Sequence, residues 1–98
     1  MILQIPVDSN DYEEAKITSF SQRKYWLIVE LEDGYTRRHD FYVDACEIVD
    51  TVDFLIFKNK EEEVDEFLDE GIDILIAPLQ KYAKDVVEAY VFRELHEF

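Results

Sequence analysis

The segment ITSFSQRKYWLIVELEDG places polar side chains directly before an apolar run, and these side chains are the first candidates for chemistry. They are Ser19, Ser21, Gln22 and Arg23, with Phe20 among them. Hydroxyl and amide groups form neutral hydrogen bonds, and a guanidinium binds anions. The segment therefore predicts either an anion-binding loop or a polar approach to a strand in which Phe20 packs into the core.

Four of the ten basic residues lie in this segment and just after it: Arg23, Lys24, Arg37 and Arg38. Two interpretations remain open for them. They form a local anion site, or each cation pairs with a neighbouring carboxylate. Because successive side chains alternate along a strand, we expect Arg37 and Arg38 to point to opposite faces.

Metal ligands are sparse in the sequence. His39 and His96 are the only histidines and Cys46 is the only cysteine, and their spacing does not bring them together, so no metal site is predicted. Cys46 is expected to be a small buried hydrophobic residue. The acidic residues between Glu61 and Glu70 are expected to form a solvated helix face.

Motifs for catalysis are not found. The chain has no glycine-rich phosphate loop, no zinc-like Cys/His spacing and no serine in a nucleophile motif. These observations favour a protein that is not an enzyme. A hydrolase remains an alternative, because catalytic partners are often distant in sequence.

Charge and composition restrict the possible partners. The 98 residues include 24 acidic and 10 basic side chains, giving a formal net charge of −14, which disfavours nucleic acid and anionic membranes as partners. Apolar residues make up 48% of the chain, which predicts a single folded domain over residues 1–98. The single cysteine, the lack of a membrane-length apolar run and the lack of a signal-peptide pattern favour the cytoplasm.

Three strands are predicted in the first half of the chain: Ile2 to Val7, Tyr25 to Glu32 and Tyr35 to Val43. Asp33-Gly34 between the last two is the strongest short-range signal for a hairpin with a primed two-residue turn. Such a turn normally fixes the pairing of the two strands. Because further strands are predicted outside the hairpin, the hairpin is expected to form part of a larger sheet.

The expected register of this hairpin makes two specific pairs. Glu30 lies opposite Arg37 as a cross-strand charge pair, and Trp26 lies opposite Phe41 as an aromatic pair. Pairs of this kind stabilise a sheet by up to about 1 kcal/mol each.

The second half of the chain predicts a strand at Val52 to Phe57, a helix between Asn59 and Gly71, a strand at Ile72 to Ala77 and a helix from Leu79 to Tyr90. Val91 to Leu95 is either a last strand or the end of that helix. A strand–helix–strand unit of this kind forms a right-handed parallel crossover. The fold class is therefore α/β, with a mixed sheet, a β-hairpin and two main helices.

The core is expected to come from both faces of the sheet and from the helices. Its predicted members are Trp26, Leu27, Ile28, Val29, Phe54, Ile56, Phe67, Leu68, Ile74, Leu75, Ile76, Val86 and Val87.

Three segments, IPVDSND, ITSFSQRKYWLIVELEDG and DEGIDILIAP, resemble the dinitrogenase iron–molybdenum cofactor biosynthesis family, which includes NifX-like domains and the C-terminal domain of NifB. The resemblance covers most of the chain. It implies a ribonuclease-H-like α/β fold with a mixed sheet. It also implies that the protein binds or carries an iron–molybdenum or iron–sulfur cofactor without catalysing a reaction. Residues 44–59 carry a strand that the family pattern lacks.

The resemblance places the binding loop of the family on the segment from Ser19 to Arg23. The phenylalanine of the family motif falls on Phe20, its histidine on Ser19, its glycine on Ser21 and its arginine on Gln22, with Arg23 following. Hydroxyls and an amide are poor ligands for the metals of such clusters. The resemblance therefore implies an altered binding loop.

Two further expectations follow from the resemblance. The five residues from Ser19 to Arg23 would line a cleft near Ala77 and Pro78, because ligands of open α/β sheets gather beyond the carboxyl ends of the strands. The function is then a cofactor-binding or carrier protein. The alternative is an acidic protein-interaction module that kept the fold and lost the cofactor.

Overall fold

The structure is a computed structural model, and it describes residues 1–58 and 72–97. Its strands and its α-helix follow in the order β1 (Ile2–Val7), β2 (Tyr25–Glu32), β3 (Tyr35–Tyr42), β4 (Phe54–Phe57), β5 (Asp73–Ile76), α1 (Ala83–Val91) and β6 (His96–Glu97). Two short 3-10 turns, Phe20–Gln22 and Ala45–Glu47, lie between strands. The predicted helix after Asn59, its acidic face and the predicted core residues Phe67 and Leu68 lie outside the described residues.

The described strands form one mixed sheet in the order β3-β2-β1-β4-β5-β6. β1 pairs antiparallel with β2 and parallel with β4, and β4 pairs parallel with β5. The α/β class and the mixed sheet are confirmed. β4, the strand that the family pattern seemed to lack, is an internal strand between β1 and β5.

The helices within the described residues do not include one that is both long and apolar enough to cross a bilayer.

The hairpin of β2 and β3 turns as the sequence predicts. Asp33 and Gly34 have φ angles of 54° and 83°, the left-handed pair that a type I′ turn requires. The predicted register is correct next to the turn, where Glu32 lies opposite Tyr35, but wrong from Glu30 onward, because the strands shift between Glu30 and Leu31 and Arg38, not Arg37, lies opposite Glu30. A β-bulge that takes up Arg37 as an extra residue accounts for the shift.

The bulge changes the side-chain pairs of the hairpin. Trp26 lies opposite Tyr42 rather than Phe41. The ring of Phe41 instead meets Tyr25 edge to face, with ring centroids 6.3 Å apart. The shift of one residue moves Phe41 to the other face of the sheet, which is the usual result of a register slip.

The two arginines at the bulge point to one side, which corrects the expectation of opposite faces. Arg37 Nε lies 3.8 Å from Glu30 Oε2, and Arg38 Nη2 lies 3.3 Å from Glu30 Oε1. Arg38 also pairs with Asp40, and its Nη2 lies 2.6 Å from Asp50 Oδ1. Pairing with neighbouring carboxylates is therefore the interpretation that fits Arg37 and Arg38.

Two hydrophobic clusters occupy the two faces of the sheet. The α1 face contains buried residues of β1, β2, β4 and α1: Leu3, Ile5, Val7, Leu27, Val29, Leu31, Ile56, Ala83, Val86 and Val87. The opposite face contains Trp26, Leu55, Phe57, Ile74 and Ile76. Most of the predicted core is confirmed, but Phe54 and Leu75 are only half-buried because both border a cavity beside the end of α1.

Helix α1 is shorter than predicted, since it begins at Ala83 and leaves Leu79 exposed. The backbone before it forms bonds across the molecule instead. Ile17 N donates to Lys81 O at 3.0 Å, and Ala83 N donates to Ala15 O at 2.8 Å. Because these groups are satisfied by residues distant in sequence, the helix starts only after them.

Val91 is the last residue of α1 and a turn follows it, so of the two expectations for Val91 to Leu95 the helical end fits its first residue and the strand does not form there. Phe92 N donates to Glu88 O at 3.0 Å, and Arg93 takes a left-handed φ of 59°. The strand resumes only at His96, where β6 pairs antiparallel with β5. The left-handed residue satisfies the last helical carbonyls and reverses the chain.

Cys46 is exposed, which overturns the expectation that it is buried. It lies in the 3-10 turn Ala45–Glu47, which has no buried residue. Asp44 and Glu47 cap this turn reciprocally, with Asp44 N donating to Glu47 Oε1 at 2.9 Å. The capped turn holds the thiol at the surface.

Replacing Gly34 by Val tests the hairpin turn. A β-branched residue resists the left-handed conformation, so we expect Gly34→Val to lower the free energy of unfolding by about 1–3 kcal/mol. Thr36→Val on β3 is the control, because a β-branched side chain suits an extended strand, and it should change stability by less than about 0.5 kcal/mol. Equal stability of both variants in urea denaturation would contradict the turn.

Candidate functional site

The segment from Ser19 to Arg23 forms a tight turn at the carboxyl end of β1. Phe20–Gln22 is a single 3-10 turn, and Gln22 N donates to Ser19 O at 3.2 Å. The flanking backbone is tied to β1, since Thr18 N donates to Pro6 O at 3.0 Å and Lys24 N donates to Val7 O at 2.9 Å. These two bonds fix both ends of the turn.

Phe20 anchors the turn on the sheet face opposite α1. Its ring lies edge-on to Trp26, with centroids 5.3 Å apart, and edge-on to Phe57, with centroids 6.1 Å apart. Phe57 is the last residue of β4. The turn therefore lies where β1 and β4 end, the edge at which ligands of α/β sheets gather, while Phe20 itself packs on the core.

Arg23 closes the turn over the same rings. Its Cζ lies 4.5 Å from the Phe20 ring centroid and 4.8 Å from the Trp26 ring centroid, and Nη1 donates to Phe20 O at 2.9 Å. Its Nε is buried and has no hydrogen-bond partner among the described residues. A buried donor without a partner is uncommon, so this atom marks a place where an acceptor would be stabilised.

The remaining polar groups of the turn face outward. Ser21 and Gln22 are exposed and Ser19 is half-buried, and the Oγ atoms of the two serines are 3.5 Å apart. Hydroxyls donate and accept by rotation, so this pair can adapt to a bound group. The turn thus combines one guanidinium with two hydroxyls and one amide.

Ala77, at the predicted cleft, and Phe20, in the turn, both contact Phe57. Ala77 N donates to Phe57 O at 2.8 Å, and Ala77 is buried whereas Pro78 is exposed. Phe57 therefore connects the turn to the end of β5. That the five residues together line a cleft with Ala77 and Pro78 stays a prediction.

The donor set of the turn fits an anion and not a metal ion. It contains no thiolate, imidazole or carboxylate, the groups that bind soft or hard metals in proteins. The described residues do not include a cluster of three or more His, Cys, Asp and Glu side chains that could hold a metal ion. His39 is stacked on Tyr12 with ring centroids 4.2 Å apart, and Cys46 lies on its own turn.

The sequence resemblance places an aromatic position of the family motif on Trp26 but did not count Trp26 among the site residues, and sequence reasoning missed Phe57. A signal for Trp26 is present, because Phe20, Arg23 and Trp26 recur at intervals of three residues. Spacing of an arginine between two aromatic residues is compatible with a stacked cation. Phe57 belongs to a distant strand, and the sequence alone gives no sign of this contact.

Phe20→Ala tests whether the aromatic anchor holds the turn. Loss of a half-buried phenyl ring should lower the free energy of unfolding by about 1–3 kcal/mol and shift the fluorescence of Trp26, whose ring it contacts. Gln22→Ala, on the exposed side of the same turn, should cost less than about 0.5 kcal/mol and leave the fluorescence unchanged. A Phe20→Ala variant as stable as the native protein would place the ring in solvent.

Comparison with known proteins supports the fold. No protein-family model matches the chain, and no curated protein matches it. Among solved structures, a crystal structure of a candidate dinitrogenase from Methanocaldococcus jannaschii is similar, with 24% identity and a TM-score of 0.79 over 100% of this chain and 94% of that chain. The solution structure of the same protein gives 24% identity and a TM-score of 0.78, covering 100% and 92% of the two chains.

A more distant similarity points the same way. The solution structure of a candidate NifB protein from Thermotoga shares 16% identity with a TM-score of 0.72, covering 98% of this chain and 91% of that chain. At such identities the likeness shows the fold alone. The chain therefore has the fold of solved proteins that carry dinitrogenase and NifB names, which agrees with the resemblance found in its sequence.

Proposed function

We propose that the protein is a small non-catalytic carrier whose cargo is an anionic metal cofactor of the iron–molybdenum or iron–sulfur type. The observation that carries this proposal is the buried Nε of Arg23, which has no partner among the described residues and lies at the carboxyl ends of β1 and β4. The cofactor class comes from the fold likeness to the dinitrogenase and NifB proteins. The proposed function is therefore to bind and carry a cofactor, not to catalyse a reaction.

The turn would hold this cargo without ligating its metals. Arg23 supplies a charge-assisted donor, and Ser19 and Ser21 supply neutral hydrogen bonds to the periphery of an anion. Hydrogen bonds break without the loss of a metal–ligand bond, which suits a protein that must release what it carries. Stacking on Phe20 and Trp26 keeps the guanidinium in place before binding.

An interaction module is the second candidate, supported by a different observation. Val49, Leu79 and Phe92 are 90%, 85% and 67% exposed on a chain with a formal net charge of −14. Exposed apolar side chains amid acidic ones suit a protein partner with a basic rim around apolar pockets. In this alternative the turn from Ser19 to Arg23 has only a structural role.

Two finer assignments belong with the proposal. We infer a ribonuclease-H-like arrangement of the mixed sheet. We also infer a cytoplasmic location, because the chain has one cysteine and that thiol is exposed.

Anaerobic titration with isolated iron–molybdenum cofactor, and separately with a synthetic iron–sulfur cluster, tests the carrier function. The visible absorbance of the bound cofactor gives the affinity. The native protein should bind one of the two probes. Arg23→Ala combined with Ser19→Ala should weaken binding by about tenfold or more, because a charged hydrogen bond and a neutral one are lost.

Lys24→Ala is the matched control, because it removes one positive charge from an exposed neighbour of the turn. Its affinity should stay within about twofold of the native value, since exposed charges contribute little. Thermal unfolding of each variant shows whether the fold is kept. Failure of the native protein to bind either probe would contradict the carrier function and leave the interaction module as the better proposal.

A further inference from the structure

A concave region lies at the end of the sheet opposite the turn from Ser19 to Arg23. It is a cavity of about 530 Å³ on the α1 face, and its apolar wall consists of Leu31, Phe54, Leu75, Tyr90, Val91 and Leu95. Cavities that hold small ligands usually measure about 300–1,000 Å³ and are mostly apolar with a few polar groups. The size and lining of this cavity therefore suit a small molecule.

The cavity is separate from the turn that follows Thr18. It lies beside the hairpin turn and the first residue of β4, where β1 and β4 begin. The turn of Phe20 lies where those strands end, on the opposite face. Binding at one place does not require the other.

Two charged side chains border the cavity, Asp33 and Arg93. They are also the two non-glycine residues with positive φ in the described chain, at 54° and 59°. Asp33 suits a type I′ turn. Arg93 does not suit its position, because the left-handed residue after a helix is usually glycine and a long side chain there costs free energy. Residues held at such cost cluster at ligand sites.

Arg93 is available to a ligand. Its side chain is exposed, and it forms no ion pair within 4.0 Å with a described carboxylate. Arg37 and Arg38, in contrast, each form ion pairs with neighbouring carboxylates. An arginine that is unpaired at the rim of an apolar cavity is a suitable partner for an anionic group.

Tyr90 adds a donor to the wall. Its ring is tilted against Phe54, with centroids 5.6 Å apart. Burial, and then the nearby charge of Asp53, raise the pKa of Tyr90, so its phenol stays protonated at neutral pH. A neutral phenol donates a hydrogen bond without repelling an anion.

We propose that this cavity binds a small monocarboxylate with an aliphatic or aromatic body. The body lies against Leu31, Phe54 and Leu75, and the carboxylate pairs with the guanidinium of Arg93. Asp33, on the same cavity, disfavours a second anionic group and so fixes the orientation of the ligand. The ligand class thus follows from the guanidinium of Arg93, which no described carboxylate pairs, from the carboxylate of Asp33 and from the apolar wall.

Three probes of equal chain length separate the contribution of the head-group charge from that of the apolar body: octanoate, octanol and octylamine. Each is titrated at millimolar concentration into isotope-labelled protein, followed by amide chemical shifts. Octanoate should bind best and shift the amides of Gly34, Leu75 and Val91. No shifts, shifts confined to other regions, or tighter binding of octylamine would each overturn the proposal.

Variants of Arg93 test the ionic contact. Arg93→Gln should weaken octanoate binding by about tenfold or more and leave octanol binding unchanged, because only the charged hydrogen bond is lost. Arg93→Gly should lose octanoate binding to the same degree while raising the thermal midpoint, since glycine accepts the left-handed conformation. The second variant keeps the test valid where the first destabilises the chain.

Arg37→Gln is the matched control, because it removes an exposed guanidinium that does not line the cavity. Its octanoate affinity should equal that of the native protein. Equal affinities of the native, Arg37→Gln and Arg93→Gln proteins would overturn the role given to Arg93.

Discussion

The central strand β1 is buried from Leu3 to Val7, and the rest of the structure covers both of its faces and excludes solvent from them. One face is covered by α1 through Ala83, Val86 and Val87. The other contributes to a sheet face on which Trp26 and Phe57 pack, with Phe20 above them. A strand buried on both faces must have neighbours on both edges as well, because its backbone groups have no access to water.

This constraint also places the turn from Ser19 to Arg23 and the cavity beside Arg93. The chain leaves β1 at its carboxyl end and returns through residues 16–18, which pair with β1 and with Lys81 and Tyr82 before α1. At the amino end the hairpin and the last turn of α1 meet over Phe54 and leave a gap. Polar groups lie at both ends of β1, with Arg23 at one end and Asp33 and Arg93 at the other. Function is therefore expected at the ends of β1 and not along its length.

Local patterns predicted much of this fold. The type I′ turn, β1, β2 and the parallel pairing of β4 with β5 follow from alternation, turn residues and short apolar runs. The bulge at Arg37 could not be predicted from its ion pairs with Glu30 and Glu32. A hairpin without a bulge would also bring Arg37 close to these carboxylates, so the charges do not distinguish the two pairings. The late start of α1 depends on bonds from Ala15 and Ile17, which no local window contains.

The candidate site was predictable in position and not in detail. The segment from Ser19 to Arg23 does lie at the expected end of the sheet. The anchoring of Phe20 on Phe57 depends on β4, a strand more than thirty residues away, and the cavity near Arg93 depends on a left-handed residue where sequence rules expect glycine. Both features arise from tertiary contacts that one sequence does not reveal.

The outer strand β3 has a consequence for how copies of this protein meet. It is the exposed edge of the sheet, and such an edge invites pairing with another chain. The bulge at Arg37 interrupts its row of backbone donors, and the paired charges of Arg37 and Arg38 line it. At the far edge, β6 offers only two residues. The bulge and charges on β3 and the shortness of β6 both disfavour edge-to-edge pairing of native molecules.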